Sequence, residues 1–239
     1  MMPDHDTASD ASRTLWDGVD LVVFDVDGTL YDQRRMRMVM ASRLVAYAAL
    51  TRSRRAIRII SHYRRIREEL GNAETAGFEP LLIARTAAAA KCSPDEVRAT
   101  SAQWMDERPL PYLRGCRFAG LPEVFSALRR RGKRIGILSD YPVAAKLAAL
   151  ELHADHAVFA GEDEVGLLKP HPKGLQTIIE QAGAAPARTI LVGDRVERDG
   201  EAARRAGAQA LIKAARPIVG WQTFAHYRAA PFDILLRDA

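Results

Sequence analysis

Carboxylates recur in this chain directly after short apolar runs. Asp25 and Asp27 follow Leu21–Phe24, Asp140 stands beside Ser139 after Ile135–Leu138, and Asp194 follows Thr189–Val192. Lys169 lies in the stretch that leads into the last of these runs. If the runs are parallel strands of one sheet, the residues at their carboxyl ends meet at a single edge, which is where open α/β sheets bind ligands. Asp25, Asp27 and Asp194 then converge with the Ser139 hydroxyl and the Lys169 ammonium. Carboxylates so close repel one another unless a cation is shared, and hard oxygen ligands presented by loops suit Mg²⁺.

The elements that must position them can be read from periodicity. Leu21–Phe24, Ile135–Leu138, Ala157–Phe159, Thr189–Val192 and Ala208–Ile212 are short apolar runs ending in turn signals, as expected of strands buried on both faces. Between them, Leu121, Val124, Phe125 and Leu128 recur at helical spacing before a stop at Gly132, and Leu175, Ile178, Ile179 and Ala182 do so before Gly183. Strand alternating with helix predicts a doubly wound α/β fold with a parallel sheet. The interval between the first strand and the second is too long for one crossover. Residues 32–110 read as an all-helical domain inserted there, with one apolar stripe at Met36, Val39, Met40, Leu44 and Tyr47. A second stripe runs through Ile59, Ile60, Tyr63, Ile66 and Leu70, with Arg54, Arg58 and Arg65 on the opposite face. Ser93-Pro94-Asp95-Glu96 reads as a helix start, and Arg108–Gly115 as a Pro-rich return to the core. The core is then 15–31 plus 111–239, preceded by a loose tail over 1–14, and Arg216–Ala239 is expected to supply a helix and an edge segment.

Asp25-Val-Asp27-Gly28-Thr29-Leu30, Ser139-Asp140, Lys169-Pro170 and Gly193-Asp194-Arg-Val-Glu-Arg-Asp199 stand in the order, and after the elements, of the four motifs of the haloacid dehalogenase (HAD) superfamily. The chain resembles that family over about residues 20–215, apart from the inserted segment. The resemblance implies a Rossmann-like core with a helical cap, on the phosphatase branch that includes phosphoglycolate phosphatases. It implies Asp25 as the nucleophile on phosphorus and Asp27 as the acid and base for the leaving group and water. Mg²⁺ would be held by Asp25, the Asp27 backbone carbonyl and Asp194. Ser139 and Lys169 would hold phosphoryl oxygens, with Thr29 and Gly28 in the same phosphate loop, and Asp199 and Asp140 would support them from behind. Asp140, where many relatives carry Asn, reads equally as the N-cap of a helix after Pro142. Asp27 favours phosphate-ester hydrolysis over dehalogenation, because halide leaves without a proton. A sugar-phosphate mutase would share all four motifs. A non-catalytic module binding an anionic partner is the remaining alternative, and the intact acid set counts against it.

Charge is unevenly spread. The formal charge is +5, yet eleven arginines and no Asp, Glu or Lys fall between Arg34 and Arg67, leaving 24 basic against 30 acidic residues elsewhere. Three readings stay open for this stretch: a solvated helix face, a grip on an anionic part of the substrate, or a basic face that docks on an anionic membrane or nucleic acid. Tyr47 and Tyr63 are its only aromatics, too few for a platform that stacks single-stranded nucleic acid, and nucleic acid is not the expected partner. A small phosphorylated substrate is. Cys92 and Cys116 are expected as free thiols, His153, Asp155 and His156 as a surface loop, and Glu162-Asp163-Glu164 as a solvated one. The opening residues lack the apolar core of a secretory signal, and no run approaches the roughly 20 apolar residues of a membrane span, so the expected location is the cytoplasm.

Overall fold

The computed structural model describes residues 15–237, so the tail expected over 1–14 lies outside the described residues. In chain order the elements are β1 (Leu21–Phe24), α1 (Gln33–Leu50), α2 (Arg55–Asn72), α3 (Phe78–Ala90), α4 (Pro94–Ser101), a π-helical turn (Ala102–Glu107), α5 (Leu110–Cys116) and α6 (Leu121–Arg130). β2 (Arg134–Ser139), α7 (Ala144–Leu150), β3 (His156–Phe159), α8 (Lys173–Ala182), β4 (Thr189–Gly193), α9 (Glu201–Ala206), β5 (Gln209–Lys213), β6 (Gln222–Phe224) and α10 (Asp233–Arg237) follow.

The six strands are all parallel in the order β3-β2-β1-β4-β5-β6. β1 is central: Leu21 pairs with Arg134 of β2 on one side and Thr189 of β4 on the other. Its four residues are all buried, because both faces are covered. Val22 and Phe24 pack with α6 and α7, and Leu21 and Val23 with α8 and α9. The direction of winding reverses between β1 and β4, so the loops after these two strands face a common crevice.

Everything between β1 and β2 is helical. α2, α3 and α4 close their own core through Ile59, Ile66, Phe78, Leu82 and Val97, joined by Ala160 and Leu168 from the loops after β3. Met36 and Met40 of α1 instead join the cluster on the sheet side. Ser93 caps α4 as its sequence implies, its hydroxyl accepting from the Glu96 amide at 3.2 Å. The expected return at Arg108–Gly115 is a helix, α5. Pro109 and Pro111 fall at its N-cap and first turn, where the missing N–H would lack a helical partner anyway.

The C-terminal stretch adds an edge strand, β6, and a short helix, α10. Phe224, Tyr227 and Phe232 pack tilted or edge-on against one another with ring centroids 4.9–5.1 Å apart, and Phe232 lies 5.3 Å from Trp16. Among the described residues, no helix is long and apolar enough to cross a membrane.

Candidate active site

β1 delivers Asp25 to the crevice with its amide bonded to the Val192 carbonyl of β4 at 2.9 Å, so the two strand ends are locked side by side. Asp25 is 6 % exposed. One carboxylate oxygen accepts from the Thr29 hydroxyl at 2.9 Å, and the other is paired with the Lys169 ammonium. Lys169, 4 % exposed, is also 2.7 Å from Asp199 Oδ1. Asp199 Oδ2 accepts the Asp194 and Arg195 amides, each at 3.1 Å, and so braces the loop after β4. Oxygens of Asp25, Asp194 and Asp199 all lie within 4.8 Å of one another.

One ammonium faces three carboxylates here, and the imbalance is visible in their proton affinities. Burial, followed by the Asp199 charge, pushes Asp194 up to about 6. Burial likewise raises Asp25 well above the carboxylate range, against the pull of Lys169. Lys169 itself stays charged: burial opposes this, but Asp199 and Asp25 outweigh it. A divalent cation among the three acids would supply the missing positive charge, and an all-oxygen donor set suits Mg²⁺. The structure leaves little freedom in how Asp194 is seated. Gly28 has φ +101°, and a Cβ there would collide with the Asp194 carboxylate. Gly28→Ala is therefore expected to lower the affinity for Mg²⁺ at least about tenfold, read as the midpoint of a Mg²⁺ titration of thermal stability.

Asp27 points elsewhere. Its carboxylate accepts from the Tyr31 hydroxyl and from Lys146 Nζ, the latter at 3.0 Å to each oxygen. Burial alone would raise its pKa, but the Lys146 charge and these hydrogen bonds hold it below the usual range. Its side chain is thus outside the acid cluster, while Asp199 is inside it.

Ser139 and Thr29 are fully buried. The Ser139 hydroxyl accepts from the Tyr141 amide at 3.1 Å, and neither residue faces the main cavity. Asp140 is not an N-cap, since α7 begins later, with Val143 in that position. Its carboxylate instead accepts the Lys169 amide at 3.2 Å, fixing the backbone of that lysine. His153, Asp155 and His156 form no metal-competent cluster among the described residues; Asp155 accepts the Ile135 amide at 2.7 Å. Cys92 and Cys116 are free thiols.

Several contributors were given no role by the motifs. Tyr227, 198 residues away, donates its buried hydroxyl to the Thr29 carbonyl at 2.8 Å and so braces the loop that holds Asp25. Arg198 is buried, donates to the Lys169 carbonyl, and reaches Asn72 Oδ1 on α2 at 2.9 Å. Arg67 is the buried member of the arginine run. Its guanidinium lies 4.3 Å from the Tyr141 ring centroid and 4.9 Å from that of Phe78, and it donates to the Asp140 carbonyl. The other ten arginines of that run are exposed. Stacked aromatic partners offset the desolvation of a guanidinium, and nothing in the spacing of Arg67 distinguishes it from its neighbours.

A cavity of ≈ 870 Å³ opens over this edge, lined by Asp25, Asp194, Asp199 and Lys169 from the sheet and by Arg34, Arg37, Arg64 and Arg67 from α1 and α2.

A family model described as haloacid dehalogenase-like hydrolase matches residues 19–207. Phosphoglycolate phosphatase of Escherichia coli (strain K12) is 33 % identical over 97 residues, covering 39 % of this chain and 38 % of that protein. The match thus spans under two fifths of that relative's length. The protein named Probable phosphatase IndB from Dickeya dadantii (strain 3937) is 28 % identical over 232 residues, 90 % of this chain and 94 % of that one. The solved structure of the Bacillus subtilis protein YfnB bound to magnesium superposes with a TM-score of 0.63 at 15 % identity, covering 87 % of this chain and 95 % of that chain, a likeness of fold.

Proposed function

Because the chain belongs to the haloacid dehalogenase-like hydrolases, we propose that it is a Mg²⁺-dependent phosphatase that hydrolyses a small phosphate monoester through an aspartyl-phosphate on Asp25. The observation that carries this is the set formed by buried Asp25, Lys169 and Asp199 with half-buried Asp194, which is short of positive charge and faces the large cavity. The phosphatase names of its relatives support the same reading.

An Asp25 oxygen attacks phosphorus, the bond from phosphorus to the ester oxygen breaks, and Asp27 gives a proton to the departing alkoxide. In the second step water attacks the phosphorus of the aspartyl-phosphate, Asp27 takes its proton, and the Asp25–phosphorus bond breaks to release inorganic phosphate. Lys146 and Tyr31 favour the ionised form of Asp27, the form required for that second step. An incoming phosphate dianion adds negative charge beside Asp27 and raises its proton affinity, preparing it to donate in the first. Lys169 holds the reactive carboxylate in place and offers its charge to the phosphoryl oxygens. Mg²⁺, held by Asp25, Asp194 and the Asp27 carbonyl with Asp199 behind them, would shield the anionic ester from the nucleophile. The helices within residues 32–110 act as a cap that covers the edge and excludes water.

Release of inorganic phosphate from an aryl phosphate tests this. Turnover is expected to require Mg²⁺ and to vanish with excess chelator. Turnover at background, or turnover indifferent to metal, overturns the reading. Release of phosphate, rather than its relocation within a sugar, also separates it from a mutase.

A further inference from the structure

The larger cavity is not alone. A second, of ≈ 410 Å³, adjoins it, and both are bounded by Asp27, Arg37, Arg64 and Tyr141. The volume is within the range of small-molecule sites. The smaller chamber holds none of Asp25, Lys169, Asp194 or Asp199, yet it begins at Asp27. On the phosphatase reading, which this inference rests on, Asp27 hands its proton to the leaving oxygen. The alcohol portion of the ester therefore lies on the side of Asp27 where the smaller chamber opens.

The walls of that chamber describe what would fill it. Met36 and Met40 come from α1, and Trp104 and Met105 from the π-helical turn. Thioethers and an indole make an apolar, adaptable lining suited to a flat or branched carbon body. At the rim the charges do not balance. Arg65 is paired with Glu69, Lys146 with Asp27, and Glu68 is engaged by both Arg195 and Arg198. Arg37 and Arg64 form no ion pair or hydrogen bond among the described residues, although they project from two different helices toward the same boundary. A guanidinium presents a planar fork matched to carboxylate or phosphate.

We infer that the smaller chamber is the leaving-group subsite, and that it takes a carbon-rich alcohol carrying a second anionic group, which Arg37 and Arg64 bind. The substrate class is a phosphate monoester with an apolar body and a carboxylate or second phosphate. A small anionic alcohol would leave the Met- and Trp-lined space empty, and an uncharged one would leave both arginines without a partner.

The test compares phenyl phosphate, 3-carboxyphenyl phosphate, 1,3-phenylene bisphosphate and 2-phosphoglycolate by kcat/KM, and by calorimetric Kd on the Asp25→Asn protein, which holds ester without consuming it. At least one acidic aryl ester is expected to exceed both phenyl phosphate and 2-phosphoglycolate by about tenfold or more, a difference of about 1.4 kcal/mol. Which of the two does so identifies the second anion. Arg37→Ala and Arg64→Ala are each expected to lower the ratio of acidic to uncharged aryl ester by about tenfold. Arg58→Ala, exposed and outside both cavities, leaves that ratio alone. Met40→Trp, which fills the chamber, lowers the preference for aryl esters over 2-phosphoglycolate. Equal Kd for phenyl and acidic aryl esters, or ratios unmoved by both arginine variants, overturns the subsite whatever the turnover. Discriminating Kd without turnover in the wild-type protein retains the subsite and overturns the phosphatase reading instead.

Discussion

Asp25→Asn is expected to lower phosphate release by about 10⁴-fold or more, the scale on which removal of an enzyme's nucleophile is felt. An amide at this position cannot attack phosphorus, so no phosphorylated protein should accumulate, and intact-protein mass after mixing with ester checks that directly. The fold should survive. Asn occupies the same volume, keeps an oxygen for the Thr29 hydroxyl, and removes one of three carboxylates crowded around a single lysine. Lys169 retains Asp199 as its partner. Burial already presses Asp25 toward its neutral form, so the metal-free variant should melt no lower than the wild type. A kcat within tenfold of wild type would exclude Asp25 as the nucleophile.

Lys169→Met is expected to act on stability as strongly as on turnover. The ammonium is almost fully buried between Asp25 and Asp199, and methionine of similar length supplies no charge. Removing one partner of a buried ion pair costs about 3–5 kcal/mol. At roughly 2–4 °C per kcal/mol for a domain of this size, the melting temperature should fall by about 10 °C. The pH dependence has an unusual sign. Buried carboxylates without a counter-ion bind protons more tightly when folded than when unfolded, where Asp titrates near 3.9. Protonation therefore favours the folded state, and that benefit disappears as pH rises through the raised folded pKa, which for Asp194 is about 6. The deficit of Lys169→Met should be full at pH 7.5, smaller at pH 5, and reduced by Mg²⁺ at either. Thermal melts under those four conditions decide it, and a deficit equal at both pH values would show that Lys169 carries no electrostatic load.

What could be read in advance follows from distance along the chain. The strands and the helices at Leu121 and Leu175 were legible because their burial repeats locally, and the motif residues were legible because each sits directly after a strand. Ser93 announced its own helix. The helical form of α5 is not legible in the sequence, because prolines signal a return and a helix start alike, and only packing against α1 and α7 decides between them. Tyr227 and Arg198 were invisible as supports, because each acts through a backbone carbonyl far away in sequence: Thr29 for one, Lys169 for the other. The resemblance implies Asp199 behind the metal, but that it accepts two backbone amides with one oxygen and the lysine with the other depends on the π-helical turn Val196–Gly200. Arg67 differs from ten neighbouring arginines only in facing Tyr141 and Phe78, a fact of helix phase and tertiary contact rather than of residue type.

The central place of β1 has a further consequence, for the order of synthesis. Leu21 is made 113 residues before its partner Arg134 and 168 residues before Thr189. At the roughly 5–20 residues per second of translation, that leaves it without sheet neighbours for on the order of ten seconds. The helices between β1 and β2 are complete before either neighbouring strand exists, and α2, α3 and α4 share a small core of their own. On the ribosome, the strand that ends at Asp25 therefore stays without its sheet partners while the helices that follow it are already complete.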